Sequence, residues 1–333
     1  MNRKQIMGLI AAALVFTFVS VSSMYARDQI AATVVDMISN VEKPAYNESE
    51  PYVGVLDVEG VIIKDTSSTS FLSSPEYNHE RVLDSIEEMT LSEANRGILL
   101  RVDSPGGSVY ESDELYLKLK RYGEQTGRPV YVYMKSQATS GGYYIAMASD
   151  GKVFANRNTW TGSVGVIISL LNVKELYDKL GIKEIDIKSG ENKSIGASGL
   201  VLTDEQRAIL QSLVDEAYDQ FVDIVTQGRK MSGDKVREVA DGRIYTARQA
   251  LDLGLIDGIM AYEELEELIQ TELGFDVPII EPQTGLSIWQ QFARGIGQGL
   301  TGFRWKSDAQ AIIEFVENKG NGALMYYADL LQR

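Results

Sequence analysis

Ser140 lies in the stretch Ser136-Gln-Ala-Thr-Ser-Gly-Gly-Tyr-Tyr-Ile145, where a hydroxyl is followed at once by two glycines. Upstream, Pro129-Val-Tyr-Val-Tyr-Met134 is a β-branched and aromatic run that predicts a buried strand. Downstream, Tyr143 to Ser149 predicts a short apolar helix. Ser140 therefore falls in a strand-to-helix turn, with the free N–H groups of the first helical turn aimed back at whatever the serine attacks. Acyl transfer needs this arrangement. A helix N-cap serine has the same local pattern, so the stretch alone leaves both readings open.

A second glycine turn, Asp103-Ser-Pro-Gly-Gly107, follows the strand predicted at Gly97–Val102. Bare backbone N–H groups there could complete an oxyanion hole, pairing the amide of Gly107 with that of Gly141. The same segment is also an ordinary Pro-Gly turn. A serine nucleophile further needs a base, and the chain has one histidine, His79, and no cysteine. His79 follows the polar stretch Asp65–Ser74 and reads as a surface-loop residue. Neither G-x-S-x-G nor S-x-x-K surrounds Ser140. A lysine remains, and the candidate is Lys193 in Lys188-Ser-Gly-Glu-Asn-Lys-Ser-Ile-Gly196. It would act only when neutral, which demands burial and no anionic partner. Ser163, in Thr161-Gly-Ser-Val-Gly165, could hold the lysine amine in place.

Strands are expected at Tyr52–Val58, Gly97–Val102, Val130–Met134, Lys152–Ala155, Gly165–Ile168 and Glu184–Ile187, with helical patterns between several of them. That alternation predicts an α/β fold with mainly parallel strands. The clearest helix starts at the capping box Thr203-Asp-Glu-Gln206 and carries Ile209, Leu213, Ala217, Phe221 and Val225 along one stripe, for the core or a subunit contact. Gly297-Gln-Gly-Leu-Thr-Gly302 matches a dinucleotide-binding pattern but follows a helix-like segment, so it lacks the strand that the motif requires.

Absence of cysteine excludes disulfides, thiolate nucleophiles and cysteine zinc sites, and a single histidine excludes a multi-histidine metal site within one chain. No metal or cofactor is expected. The formal net charge is −15, and both basic residues of the first 26 lie ahead of the body, which makes nucleic acid an unsuitable partner. Residues 5–26 are uncharged and mostly apolar, long enough to cross a bilayer, with Arg3 and Lys4 before them. A single-pass anchor with the rest of the chain outside is expected, and a cleavable signal peptide is the rival. The organisation is thus residues 1–26 anchor, 27–51 stalk, 52–258 core domain and 259–333 C-terminal helical extension and tail.

Taken in order, Asp103-Ser-Pro-Gly-Gly107, Ala138-Thr-Ser-Gly-Gly-Tyr-Tyr-Ile145, Thr161-Gly-Ser-Val-Gly165, Lys188-Ser-Gly-x-x-Lys193 and Asp241-Gly-Arg-Ile-Tyr245 closely resemble the signal peptide peptidase A family, in its short, single-repeat bacterial form. The resemblance spans about Tyr52 to Asp257. It implies a Clp/crotonase-like fold and a membrane-anchored serine endopeptidase that hydrolyses peptides left after signal-peptide cleavage. Carried onto this sequence, it implies Ser140 as nucleophile, Lys193 as general base, Ser163 as the residue orienting the lysine, and Gly107 and Gly141 as oxyanion donors. It also implies a homo-oligomeric ring whose active sites are completed by a neighbouring subunit. Two rival functions stand beside it: a non-catalytic, anchored peptide-binding scaffold, and an acyl-CoA hydratase or hydrolase of crotonase type.

Overall fold

A computed structural model describes residues 50–64, 77–274 and 277–280, together with the backbone of 325–327. The expected anchor, most of the stalk, the serine-rich stretch 65–76 and the glycine pattern at 297–302 lie outside the described residues. Among the described residues, no helix is long and apolar enough to cross a membrane.

The frame is a mostly parallel sheet. Strands β1 (Tyr52–Glu59), β2 (Asn95–Ser104) and β4 (Val130–Thr139) lie side by side in parallel, with helix α1 (His79–Leu91) between the first two in sequence. Between β2 and β4 come the short strand β3 (Gly106–Ser108) and helix α2 (Val109–Thr126). After β4 the chain forms helix α3 (Gly141–Ala146) and strands β5 (Val153–Ala155) and β6 (Trp160–Gly162). β4 is long enough to serve both. Its Val132–Met134 portion pairs with β5 and its Gln137–Thr139 portion with β6.

The remaining elements are helix α4 (Lys174–Leu180), helix α5 (Asp204–Arg229), helix α6 (Gly233–Val239), strand β7 (Ile244–Thr246), helix α7 (Ala247–Asp252), strand β8 (Gly258–Ile259), helix α8 (Tyr262–Leu273) and strand β9 (Ile279–Ile280). The main path across the sheet runs β7-β6-β4-β2-β1-β9, with β8 beside β5. Only β6 with β7 is antiparallel in it. A final strand, β10 (Met325–Tyr327), lies antiparallel on β3.

Period-two patterning explains the two cores. In β4, Val130, Val132 and Met134 join the larger core with α1, α2, α3 and α5, whereas Tyr131 and Tyr133 point to the other face, where Leu265 and Ile269 of α8 cover them. β2 divides in the same way, with Ile98 and Leu100 on one face and Leu99 on the other. A parallel sheet buried on both faces reads as near-continuous hydrophobic runs, which is why these strands are plain in the sequence.

Three expectations need correction. Gly165–Ile168 and Glu184–Ile187 form no strands: Val166 to Ile168 hold no more than a single bridge position at Ile167, and the 182–189 stretch runs as irregular chain. Ile167, Ile185 and Ile187 stand exposed. His79 is no surface-loop residue. It opens α1, is 3% exposed, and is held between the hydroxyl of Tyr77 (2.6 Å from Nδ1) and Glu114 of α2 (2.8 Å from Nε2). The capping box of α5 forms as expected, with Thr203 accepting from Gln206 N and the Gln206 side chain accepting from Thr203 N. Its apolar stripe divides: Ala217, Phe221 and Val225 are buried, and Ile209 and Leu213 are exposed.

Candidate active site

The end of β4 carries the chain to Ser140 and turns it there. Ser140 takes φ 54° and ψ −118°, a region that a non-glycine residue adopts at a cost of about 1–3 kcal/mol and that clusters at functional positions. It precedes α3, yet its side chain makes no capping hydrogen bond. The N-cap reading therefore does not account for the hydroxyl. Two backbone bonds hold the turn: Ser140 N–H donates to the Gly162 carbonyl at 2.8 Å, and Tyr144 N–H donates to the Ser140 carbonyl at 2.9 Å.

Both glycine turns press together beside this serine. A side chain on Gly141 would bring its first carbon within 3.1 Å of Gly107 N and 2.5 Å of the Ser112 hydroxyl. On Gly142 it would meet the Ser104 carbonyl at 2.9 Å, so the pair of glycines lets α3 sit directly against the end of β2. Gly107 is tighter still, since an added carbon would fall 1.9 Å from the Ile62 carbonyl oxygen. The Pro105 turn is fastened by Ser104, whose buried hydroxyl accepts from Gly106 N at 3.1 Å. Ile62 N–H donates to the Gly106 carbonyl, and Ser108 N–H donates to the Ile62 carbonyl. Both bonds face Ile62, so the alternation of a strand turns the amide and carbonyl of Gly107 to the opposite edge.

Ser163 follows β6 and is the second serine held at positive φ, 50°, with its N–H donating to the Arg243 carbonyl at 2.7 Å. Ser140 and Ser163 line one open cleft of about 420 Å³, together with Val166, Asp215, Tyr218 and Asp241. Lys193 is absent from that lining. It lies on a single exposed 3₁₀ turn, Glu191–Ser194, within an arm of chain from 165 to 203. The turn is stapled by Lys188, whose amine donates to Ser194 Oγ at 2.8 Å and to the Glu191 carbonyl at 3.0 Å. A larger hollow of about 910 Å³ lies between this arm and the first turns of α5, and it adjoins the Ser140 cleft at Gln211 and Val214. One chain thus brings together Ser140, Ser163, Gly107 and Gly141 but not Lys193. His79 is spent on Tyr77 and Glu114 and does not line the cleft.

Sequence reading passed over Ser112 and Gly162. Ser112 carries a fully buried hydroxyl with no hydrogen-bond partner among the described residues. Gly162 has φ +80° and its carbonyl anchors Ser140. The signal for Gly162 was its place between a strand and a serine that must turn. Ser112 has no local signal, because its burial depends on α3.

An α/β chain whose parallel strands deliver a strained serine between two glycine turns has the local layout of a hydrolytic enzyme. The chain belongs to peptidase family S49, whose sequence profile matches residues 123–275. It is 40% identical over 227 residues to an Enterococcus faecium protein with the provisional name signal peptide peptidase SppA, a match over 68% of this chain and 65% of that one. It is 42% identical over 187 residues to a provisionally named protease of Synechocystis, covering 56% of this chain and 66% of the relative. A provisionally named protease of Methanocaldococcus jannaschii is 30% identical over 221 residues, covering 65% of this chain and 70% of the relative. The chain therefore spans a little under two thirds of the length of the first two of these relatives.

Proposed function

We propose that this protein is a serine endopeptidase of Clp/crotonase-like fold, anchored by residues 5–26 with its catalytic body on the outer face of the membrane, that hydrolyses signal-peptide remnants and other hydrophobic peptides. The observation that carries the reading is the backbone of Ser140, held at positive φ with a hydroxyl not used in capping and flanked by the glycine turns of Gly107 and Gly141. Family membership and the names of the relatives support the same chemistry.

In the proposed reaction, Ser140 Oγ attacks a peptide carbonyl carbon and its proton passes to the neutral amine of Lys193. The carbonyl oxygen becomes an oxyanion, received by the amides of Gly107 and Gly141; one such donor contributes about 3 kcal/mol to the transition state. The tetrahedral adduct collapses, the peptide C–N bond breaks, and the leaving amine takes the proton from the lysine. Water then attacks the acyl-enzyme, giving its proton to Lys193, and the acid product leaves with Ser140 restored. Ser163 holds the lysine amine.

Lys193 comes from a neighbouring copy. Its place on an exposed arm supports this: Ile185, Ile187, Leu176 and Leu180 of that arm are exposed, as are Ile209 and Leu213 of α5. Several large exposed hydrophobics fit an interface between copies, arranged as a homo-oligomeric ring. The test is turnover of a hydrophobic peptide by the full chain, compared with Ser140→Ala and Lys193→Ala. Loss of nearly all turnover in both, with fold and assembly unchanged, supports the dyad; retained turnover in Lys193→Ala defeats the assigned base.

A further inference from the structure

Ser112 stands on the buried face of α2, in line with Leu115 and Leu119, where the amphipathic pattern calls for an apolar residue. A serine or threonine inside a helix commonly satisfies its hydroxyl on the carbonyl four residues back. Ser85, Thr90 and, within α2 itself, Thr126 do so, donating to the carbonyls of Arg81, Ile86 and Tyr122. Ser112 forgoes the Ser108 carbonyl, and its fully buried hydroxyl has no partner among the described residues. It is set against the oxyanion turns instead. The point where a side chain on Gly141 would begin lies 2.5 Å from Ser112 Oγ, 3.1 Å from Gly107 N and 3.2 Å from Gly106 Cα. The hydroxyl thus sits behind the wall that the two glycine turns share, and α2 is fixed to that wall because its N-cap, Ser108, is the last residue of β3.

We propose that Ser112 is a positioning residue of the oxyanion hole, its hydroxyl dipole supporting from behind the charge that the amides of Gly107 and Gly141 receive. The inference deepens the function proposed above and rests on it. Ser112 is sealed from the cleft, so it touches no substrate and acts through the two turns. In the resting enzyme no acceptor among the described residues holds the hydroxyl hydrogen, and the group costs stability. When the scissile carbonyl oxygen becomes an oxyanion, that hydrogen turns toward the new charge. Only one light atom has to move, and a buried dipole counts for more than one in water. The interaction is made in the transition state and not in the ground state, so it raises kcat and leaves KM alone. Acylation and deacylation both pass through an oxyanion, so kcat responds whichever step is slower.

The test is Ser112→Ala in the full chain, with a hydrophobic peptide as substrate and the aldehyde of the same peptide as probe. Ser140 Oγ adds to the aldehyde carbon, the serine proton passes to Lys193, and an oxyanion is left in the hole. In Ser112→Ala, kcat should fall about fivefold or more, the aldehyde should bind more weakly by the same factor, and KM should stay within about twofold. Tm should rise, because the unpaired hydroxyl is gone. Peptide affinity of full-length Ser140→Ala, read by anisotropy, should be the same with and without Ser112→Ala. Wild-type kcat in Ser112→Ala overturns the proposal. So does a fall in kcat together with a lower Tm and weaker peptide binding, the result expected of a serine that merely packs the turns. A wild type that neither cleaves the peptide nor binds the aldehyde removes the peptidase reading, and the Ser112 assignment with it.

Discussion

Ser140 and Gly162 are joined by a single backbone hydrogen bond of 2.8 Å, from the serine amide to the glycine carbonyl, and each lies at positive φ. The bond ties the end of β4 to the end of β6 where the two strands stop pairing. It fixes the turn from which the Ser140 side chain projects, and the next residue, Ser163, inherits its position from the same turn.

Gly162→Ala should therefore damage the site without touching any group that meets substrate. At φ +80° a side chain is strained by about 1–2 kcal/mol, and its carbon would also fall 2.6 Å from the Tyr245 ring and 3.3 Å from the Arg243 carbonyl. We expect a loss of about 2–4 kcal/mol in unfolding free energy, read by denaturant titration. kcat should fall at least tenfold while KM changes little. Wild-type kcat in the variant would show that the Gly162 turn does not set the serine.

Much of this arrangement was legible because it is local. Glycines at 106, 107, 141 and 142 announce close backbone approach, and the apolar runs of β2 and β4 announce burial on both faces. What escaped was non-local. Val166-Ile-Ile168 and Ile185 to Ile187 have strand composition, but composition reports a need for cover and not its source, and Ile167, Ile185 and Ile187 stay exposed. His79 reads as a loop residue because its partner Glu114 lies 35 positions away on another helix. The pairing of Met325–Tyr327 with β3 spans more than 200 residues, and a short apolar and aromatic run near a C-terminus does not say where it docks.

Ser112→Ala should stabilise the fold. The Ser112 hydroxyl is buried without a partner among the described residues, beside Gly141. An unsatisfied buried hydroxyl costs about 1–3 kcal/mol, and alanine removes it while keeping the carbon that fills the space. We expect a gain of about 1 kcal/mol, or a Tm rise of roughly 2–4 °C, by calorimetry. A fall in Tm would mean that the hydroxyl is bonded in solution.

Acid should weaken the clamp beneath α3. Arg229, 6% exposed, grips Asp257 through two bonds of 2.8 Å and donates from Nε to the Gly254 carbonyl, and Tyr143 of α3 donates to the adjacent Leu255 carbonyl. Burial alone would raise the Asp257 carboxyl, but the bonds from Arg229 and the Val153 amide outweigh it and hold the group below its ordinary 3.8. A carboxyl lowered on folding stabilises in full above its unfolded value, and the contribution is lost as pH falls through the lower folded value. Asp257→Asn should thus lower Tm at pH 7, and the gap to wild type should close below about pH 3.8. Arg229→Ala should cost about 2–3 kcal/mol at neutral pH, since it leaves Asp257 half-buried and unpaired. A gap that persists undiminished at low pH would remove the pair from the account of acid stability.

Subunit exchange gives the sharpest check on where the base comes from. Ser140→Ala keeps an intact arm with Lys193, and Lys193→Ala keeps an intact cleft with Ser140, so each lacks what the other has. If the dyad formed within one chain, a mixture of the two would be as dead as either alone. If the arm of one copy enters the cleft of the next, mixed assemblies contain junctions that join wild-type Ser140 to wild-type Lys193. In a random equimolar mixture each copy's cleft is intact half the time and meets an intact arm half the time, so about a quarter of junctions are competent. Turnover near a quarter of wild type is therefore expected after the variants are unfolded together and refolded, with assembly followed by light scattering. The recovered activity should climb as pH rises from 6 to 10, because a lysine base works only in its neutral form. No recovery in mixtures shown to be fully assembled would return the search for the base to the chain that carries Ser140.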